Sequence, residues 1–247
     1  MILSTAYFPP IEFFALLAEN SVVYLEACEH YEKQSWRNRC RILTANGPMD
    51  LRVPVVHSGD LFHTPVKDVR VDYSTPWVAR TEYAIESAYC SSPFFIYYKD
   101  ELFAILDSHP GTLWELDLKL IDFFIRKIGL ATIVVPTSEY VPSGSMVPCR
   151  TSLRSSHRCA ALAVPPFTWS RAATVPQATV LPEGMASPER TIPLEEDYRG
   201  RIHPKKPSGY VGRPYWQVFR EKFGFVGGLS VMDLLFNEGP ESLCYLK

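Results

Sequence analysis

The first 26 residues hold two short apolar runs with an amphipathic stretch between them, and this order constrains the fold more than any other feature. Met1–Tyr7 suits a strand, Pro9-Pro10 ends it, and the apolar side chains of Ile11–Leu17 recur with helical spacing. The second proline suits the first turn of a helix, where an amide would lack a partner in any case. Val22–Leu25 is typical of a buried strand. The sequence therefore predicts an α/β fold with a mixed sheet opened by a strand-helix-strand unit.

Two polar segments follow the predicted strands, and each contains candidate site residues. In open α/β sheets, ligands bind at the carboxyl ends of the strands. Tyr7–Pro10 and Glu26–Tyr31 both lie at such ends, so we expect them on the same edge of the sheet. Tyr7 is a candidate for binding a substrate there, and Glu26 or Glu29 is a candidate general base. A carboxylate near a strand end is more often a cap or an ion-pair partner, and this alternative stays open.

The next segment carries the densest group of hydrogen-bond donors in the chain. Side chains alternate in strand fashion over Arg39–Leu43, Ala45–Pro48 has the residues of a chain reversal, and Met49–Val55 returns as a second strand. We therefore expect a β-hairpin on which Arg39 and Arg41 share one face. Paired guanidinium groups of this kind bind carboxylate or phosphate through forked hydrogen bonds.

The same segment supplies further groups suited to an anionic ligand. Lys33 adds a positive charge, and Asn38 adds an amide that can orient the ligand. The rings of Tyr31 and Trp36 can stack on a base or a sugar. The alternative is the charged, solvated outer face of an ordinary hairpin. Trp36 and Asn38 favour a ligand site, because a solvated face needs neither.

Composition and charge narrow the class of partner. The chain has 247 residues, a net charge of −2 and 47% hydrophobic residues, which are the values of an ordinary globular protein. A nucleic-acid binder would normally be basic. The local basic cluster therefore fits a small anionic molecule, such as a sugar nucleotide or another phosphate or carboxylate ligand, better than nucleic acid. The sequence leaves the oligomeric state open.

Cysteine spacing and apolar runs predict neither a metal site nor a membrane segment. The six cysteines include no Cys-x-x-Cys pair and no zinc-type histidine spacing. No glycine-rich phosphate loop is present, and no cofactor is predicted. Reduced thiols are the default in the cytoplasm, which is the expected location. The sequence has no basic leader and no run of 18 apolar residues, so neither a signal peptide nor membrane insertion is expected.

The rest of the chain is predicted to be helical in its middle and C-terminal parts. A further strand is expected at Val66–Tyr73 and a buried one at Ala131–Val135. Helices are expected at Trp77–Tyr89, after Ser91-Ser92-Pro93, at Thr112–Ile128, at Tyr215–Phe219 and at Leu229–Phe236. Residues from about 141 to 192 lack any period, and we interpret them as an irregular or disordered insertion in a single domain spanning 1–247.

Several motifs together resemble those of the WbqC-like proteins found with bacterial O-antigen gene clusters. They are Ala6-Tyr7-Phe8-Pro9, Phe13-Phe14, the run from Lys33 to Asn38-Arg39-x-Arg41-Ile42, Val53-Pro54-Val55, Ser92-Pro93-Phe94-Phe95 and Asp233-Leu234-Leu235-Phe236-Asn237-Glu238-Gly239-Pro240. The resemblance covers nearly the whole chain outside 141–192. It implies a role in surface polysaccharide (O-antigen) biosynthesis, with transfer of glycine or another aminoacyl group to an amino sugar suggested for some members.

Three hypotheses about function follow. The first is a transferase acting on a nucleotide-activated or amino sugar, in which Lys33, Arg39 and Arg41 hold a phosphate or carboxylate. His203, in a basic loop, is a further candidate acid or base, although a surface histidine without such a role is the alternative. The second hypothesis is a non-catalytic protein that binds an anionic glycan or nucleotide through the same residues. The third is a nucleotidyltransferase-like enzyme, which the strand-turn-helix opening alone supports.

Overall fold

The computed structural model describes residues 1–56, 63–142, 146–147, 190–191, 196–206 and 208–247. Short strands alternate with helices in these residues, which confirms the α/β class. The strands are β1 (Ile2–Ser4), β2 (Val22–Glu26), β3 (Arg39–Thr44), β4 (Gly47–Arg52), β5 (Ile133–Pro136), β6 (Met146–Val147) and β7 (Arg190–Thr191). The helices are α1 (Ile11–Glu19), α2 (Trp77–Tyr89), α3 (Phe95–Asp107), α4 (Leu113–Ile128), α5 (Arg220–Phe223), α6 (Val231–Glu238) and α7 (Ser242–Leu246).

Strands β1, β2 and β5 form a parallel sheet with β2 in the middle. Ser4 of β1 pairs with Glu26 of β2, and Leu25 pairs with Pro136 of β5, so the carboxyl ends of the three strands are nearly level. Helix α1 begins directly after Pro10 and buries its apolar stripe, as the helical spacing requires. The strand-helix-strand unit predicted from the sequence is therefore present.

A two-stranded antiparallel hairpin, formed by β3 and β4, carries the basic residues. Gly47 adopts φ 106° at the reversal, a conformation that residues with a Cβ rarely take. In the register of the hairpin, Arg41 lies opposite Asp50 and Arg39 lies opposite Arg52. The predicted hairpin is therefore present, and its two strands bring three arginines and one carboxylate close together.

Helix α3 packs against both α2 and α4, and α2 contacts the hairpin strand β3. The Thr112 hydroxyl accepts a hydrogen bond from the Glu115 amide at the start of α4, and Gly129, with φ 79°, ends the helix. The periodic apolar residues of α4 are buried in the core, including Leu113, Leu116, Leu120, Phe123 and Phe124. Helix α2 contacts β3, and its first turn therefore lies beside the hairpin.

The segment before α6 makes backbone hydrogen bonds with two parts of the fold that are distant in the sequence. The Ser230 amide donates a hydrogen bond of 2.8 Å to the carbonyl of Arg41 in β3. The Val231 amide donates one of 2.9 Å to the carbonyl of Pro9, and the Leu229 carbonyl accepts one of 3.1 Å from the amide of Ile11. The C-terminal segment is thus bonded both to the start of α1 and to the hairpin.

Val66–Tyr73 does not form the strand predicted for it. Val66–Asp68 is a single 3-10 turn, and Arg70 beyond it makes an isolated bridge with Thr112. The valines of this segment are buried in the core, which produces the alternation in the sequence. Val71 also bridges Val55, the Asp72 amide donates 2.9 Å to the Pro54 carbonyl, and the Val56 amide donates 2.9 Å to the Arg70 carbonyl. The alternation therefore accompanies isolated antiparallel bridges, which are too short to form a regular strand.

Tyr215–Gln217 has no regular secondary structure and Val218-Phe219 is a turn before α5, so the helix predicted at Tyr215–Phe219 is wrong. The side-chain amide of Gln217 donates 2.9 Å to the Val226 carbonyl and accepts 2.9 Å from the Val226 amide, which fixes the chain here. Tyr215 and Gln217 are buried, whereas Trp216 between them is exposed. This burial has the period of a strand, which the mixture of aromatic and polar residues concealed.

Most of the predicted insertion at about 141–192 lies outside the described residues. Two described pieces of it, β6 and β7, pair with each other in antiparallel fashion. Strand β5 pairs on one side with β2, and none of the residues Ala131–Val135 is buried, Ala131 and Ile133 being exposed. The burial predicted for Ala131–Val135 is therefore wrong.

Candidate functional site

A cavity of about 640 Å³ lies beside the β3–β4 hairpin and the first turns of α2, and we call it the hairpin cavity. Its wall contains four cationic side chains and two carboxylates. The cations are Lys33, Arg39, Arg52 and Arg80, and the carboxylates are Asp50 and Asp72. The wall therefore has an excess of two positive charges, although the whole chain has a net charge of −2.

Local pairing explains how the cations come together. Arg39 and Arg52 face each other across the hairpin, and Arg80 comes from the first turns of α2. Asn38 fixes the wall where β4 ends. Its side-chain amide donates a hydrogen bond of 3.0 Å to the Val53 carbonyl, and its backbone carbonyl accepts one of 2.9 Å from the Val53 amide. Three separate segments therefore direct positive charge toward one cavity.

Two side chains of this wall carry buried N–H groups for which the described residues provide no hydrogen-bond partner. These groups are Nε of Arg39 and Nε1 of Trp77. The Arg39 side chain is 12% exposed, and its Nη1 lies 3.8 Å from Oδ2 of Asp50, which is too long for a hydrogen bond. Buried donors are normally paired in folded proteins. Arg39 and Trp77 therefore retain donor capacity that suits an anionic ligand.

Four of the residues predicted to bind a substrate line the hairpin cavity: Tyr31, Lys33, Asn38 and Arg39. Burial raises the pKa of the Tyr31 hydroxyl, although Arg37 and Arg39 act in the opposite direction. The phenol is therefore neutral at pH 7 and can donate a hydrogen bond. The structure brings these four residues together as the sequence predicted.

Arg41 and Trp36 lie at a different cavity, of about 400 Å³, which we call the loop cavity. Its walls are the start of α1, residues 203–206 and 208–213, and residues 225–228. The Arg41 guanidinium lies 5.6 Å from the centre of the Trp36 ring, and its Nε donates to Oδ1 of Asp50 at 2.8 Å. The structure thus divides the predicted binding residues between two cavities, and Asp50 contacts an arginine of each.

His203 also lines the loop cavity. Its Nε2 lies 3.9 Å from Oε1 of Glu32, and its Nδ1 accepts a hydrogen bond of 3.1 Å from the Lys205 amide. Burial lowers the pKa of His203, although Glu32 raises it. A neutral imidazole at pH 7 is the form that a general base requires. Its role as acid or base stays a prediction.

Glu29 forms a buried ion pair with Arg37. Nε of Arg37 lies 3.0 Å from Oε1, Nη2 lies 2.8 Å from Oε2, and the Ser4 hydroxyl donates 2.9 Å to Oε2. Burial lowers the pKa of Arg37, but Glu29 and Glu32 raise it more, so the net shift is upward. The pair joins the carboxyl end of β1 to the 3-10 turn at Trp36–Asn38.

Glu26 is fully buried at the end of β2 and accepts four hydrogen bonds. The donors are the Thr137 hydroxyl at 2.7 Å, the amides of Cys28 and Val141 at 3.0 Å, and Nη1 of Arg199 at 3.1 Å. These bonds tie together the ends of β2 and β5. A role as general base remains a prediction for both glutamates, and it requires that a donor be displaced.

Tyr7 lies in the core. Its ring contacts that of Phe8 with centroids 4.5 Å apart, and its amide donates 2.9 Å to the carbonyl of Trp36. Burial raises the pKa of the Tyr7 hydroxyl well above its usual range. Tyr7 therefore fixes the backbone of Trp36 but is not part of the walls of the two cavities. Its direct contact with a substrate remains a prediction.

Sequence reasoning missed Arg52, Arg80 and Trp77 as site residues. Arg52 had a detectable signal, because pairing Arg39–Leu43 with the returning strand places it opposite Arg39. Arg80 and Trp77 had none, since their helix begins 25 residues after the hairpin ends and its approach depends on packing.

In the part of the chain that the structure describes, no group of three or more His, Cys, Asp or Glu side chains could hold a metal ion. None of the described helices combines the length and the apolar composition needed to cross a membrane.

The fold and its cavities define an α/β protein with a cationic cavity beside a β-hairpin. A model of the WbqC-like protein family matches residues 5–161, and the chain belongs to that family. The chain is 27% identical along its whole length to the uncharacterized protein Rv1507c of Mycobacterium tuberculosis, of which it covers 96%. No solved structure matches the chain. The family match includes every cation of the hairpin cavity, whereas the loop cavity also uses residues beyond 161.

Proposed function

We propose that the chain is a transferase of bacterial surface polysaccharide biosynthesis, and that the hairpin cavity holds the anionic group of one substrate. The observation that carries this proposal is the grouping of Lys33, Arg39, Arg52 and Arg80 around one cavity. Membership of the WbqC-like family supports the link to O-antigen gene clusters. The transferred group is proposed to be glycine or another aminoacyl group, and the acceptor an amino sugar.

The chemistry of the cavity suits a nucleotide-activated substrate. Arginine binds phosphate and carboxylate oxygens through forked hydrogen bonds, and Arg39 and Arg80 bring such groups to the cavity from two different elements, β3 and α2. Tyr31 and Trp77 also line the cavity, with 3% and 5% of their surfaces exposed, and contribute small areas of contact to a bound ligand. The volume of about 640 Å³ is in the usual range for small-molecule sites.

Aminoacyl transfer to an amine also needs a group that takes up the proton of the amine. Glu26, Glu29 and His203 are the candidates. Each of the two glutamates would have to exchange a protein donor for the substrate, because each is hydrogen-bonded on both oxygens. His203 faces no such requirement at Nε2, where the distance to Glu32 is 3.9 Å.

A non-catalytic protein that binds an anionic glycan or nucleotide is the second candidate. The saturation of Glu26 and Glu29 by protein donors favours it. Such a protein needs the cations and the rings but no acid or base. Both candidates share the ligand site, so they differ in turnover rather than in binding.

Thermal stabilisation by ligands tests the shared site. Purified protein is melted with a panel of nucleotides, sugar nucleotides and amino acids, alongside an Arg39→Ala/Arg80→Ala double variant. A ligand at about 100 times its Kd stabilises the folded state by about 2.7 kcal/mol, which corresponds to a rise of about 5–10 °C. Arg126→Ala is the matched control, since this exposed arginine lies on α4, away from both cavities. We expect a sugar nucleotide to raise the Tm of the wild type and of this control, and not that of the double variant.

The absence of any shift in the wild type, or an equal shift in the double variant, would contradict the proposal. Turnover then separates the two candidates. A sugar nucleotide that binds and is consumed in the presence of an amino sugar supports the transferase. Tight binding without consumption supports the non-catalytic alternative.

A further inference from the structure

The loop cavity is lined by aromatic rings to an extent that the hairpin cavity is not. Trp36 lines it with 8% of its surface exposed, and Tyr210 and Phe225, from two different loops, line it with 38% and 37% exposed. Exposed rings around a volume of about 400 Å³ are suited to packing against the apolar face of a ligand ring.

Both exposed rings are held in place by their neighbours. A Cβ on Gly212 would lie 3.1 Å from Cε1 of Tyr210, so the absence of a side chain at this glycine lets the ring lie against the backbone. The Phe225 ring packs edge-on against Tyr215 at 5.4 Å, and the Tyr215 hydroxyl donates to Asp233 in the core. The rings are therefore anchored parts of the wall.

The polar groups of the loop cavity are of both signs. Glu12 contributes a half-buried carboxylate, and Arg41 contributes a guanidinium already paired with Asp50. A ring that carries hydroxyl groups can donate to the first and accept from the second. Lys206 and Arg213 also line this cavity, so three cations and one carboxylate surround it, and its excess of positive charge equals that of the hairpin cavity. Hydrogen-bond donors and acceptors are thus both available to the hydroxyl groups of a ring.

We propose that the loop cavity binds a sugar ring, with its apolar face on Trp36, Tyr210 or Phe225 and its hydroxyls on Glu12 and Arg41. The inference deepens the proposed function and rests on it for the role of this sugar, which is the acceptor. The anionic substrate would then occupy the hairpin cavity. Asp50, through Arg39 and Arg41, contacts both compartments.

Neutral glycosides test this site without involving the hairpin cavity. The probes are the methyl glycoside of N-acetylglucosamine, methyl glucoside and uridine, each followed by saturation-transfer NMR and by titration. Tyr210→Ala and Phe225→Ala remove exposed rings with little expected effect on folding. Tyr83→Ala, at a ring 75% exposed on α2, is the matched control. We expect the glycosides to bind, and each cavity variant to weaken binding about tenfold while the control does not.

Three outcomes overturn the inference: no glycoside binds the wild type, uridine binds in place of the glycosides, or the two cavity variants bind as tightly as the control. The Arg39→Ala/Arg80→Ala variant separates this inference from the proposed function. Glycoside binding that survives in this variant supports a separate sugar site. If glycosides bind but no anion does, the sugar site stands while the transferase proposal falls.

Discussion

Nε of Arg41 lies 2.8 Å from Oδ1 of Asp50, directly across the hairpin, and the same carboxylate lies 3.8 Å from Nη1 of Arg39. The two arginines line different cavities. Asp50 therefore orients two arginines that line different cavities, and it also lowers the positive charge that an anion in the hairpin cavity would meet.

Replacing Asp50 by Asn separates these two effects. The free energy of unfolding should fall by about 1 kcal/mol, because a charge-assisted hydrogen bond becomes a neutral one. Affinity for pyrophosphate should rise severalfold, because a carboxylate is removed from the cavity wall. Urea denaturation and calorimetric titration measure the two quantities. Weaker pyrophosphate binding in this variant would show that orientation of Arg39 outweighs the change in charge.

Glu29→Gln should destabilise the protein by about 3 kcal/mol, because it leaves the buried Arg37 guanidinium without a full counter-charge. Glu32→Gln is the matched control, since Glu32 also pairs with Arg37 but is 52% exposed. It should cost less than about 1 kcal/mol. Urea denaturation measures both, and equal losses would contradict the assignment. A kinetic test of Glu29 as a base is meaningful only at temperatures where the variant is folded.

Asp233 predicts a pH dependence of stability. Burial raises its pKa to about 6, although hydrogen bonds from Tyr215 and Gln217 lower it. The folded chain thus binds this proton more tightly than the unfolded chain, and the resulting stability is full below about pH 4 and lost as the pH rises through about 6.

Asp233→Asn replaces the titrating carboxyl by a neutral amide, so the loss of stability with rising pH should disappear. Between about pH 4 and pH 7, the variant should gain on the order of 2 kcal/mol in unfolding free energy relative to the wild type. Urea denaturation at several pH values measures the difference. Parallel pH profiles for the two proteins would show that Asp233 titrates near its ordinary value when folded.

Gly239→Ala should destabilise the protein by about 2 kcal/mol or more. A Cβ at this position would lie 2.5 Å from Cδ1 of Phe94, and the backbone has φ 56°. Gly227→Ala is the control, because a Cβ there meets open space. Thermal or urea denaturation measures both variants. Adding Phe94→Leu to Gly239→Ala should recover part of the loss, and no recovery would mean that backbone strain, rather than the ring, sets the cost.

Elements with a strong local pattern could be predicted from the sequence. The apolar stripe of α1 after Pro10, the turn chemistry at Gly47 and the Thr112 and Gly129 caps of α4 each act within a few residues. Tyr215–Phe219 could not be predicted, because its shape depends on hydrogen bonds from Gln217 to Val226, nine residues away. A side chain that makes hydrogen bonds usually made by another backbone segment does not alter the hydrophobic period of the sequence.

The candidate site could be predicted only where it depends on a local pattern. Strand alternation placed Arg39 and Arg41 on one face of β3, and both do contact Asp50. The sequence prediction placed both arginines in a single site. In the structure, Arg41 instead lies beside Trp36 in the loop cavity, which is formed partly by loops from residue 203 onward. Arg80 and Trp77 arrive from α2 through packing, so no local pattern could have joined them to Arg39.

The hydrogen bond from the Ser230 amide to the Arg41 carbonyl also covers part of the free edge of β3. A two-stranded ribbon otherwise presents a row of backbone groups with which a strand from another molecule can pair. A chain cut before residue 229 would expose that row next to the apolar surface vacated by α6. The C-terminal segment therefore protects this edge from self-association. Shortened versions of this protein are expected to aggregate under conditions in which the hairpin is still folded.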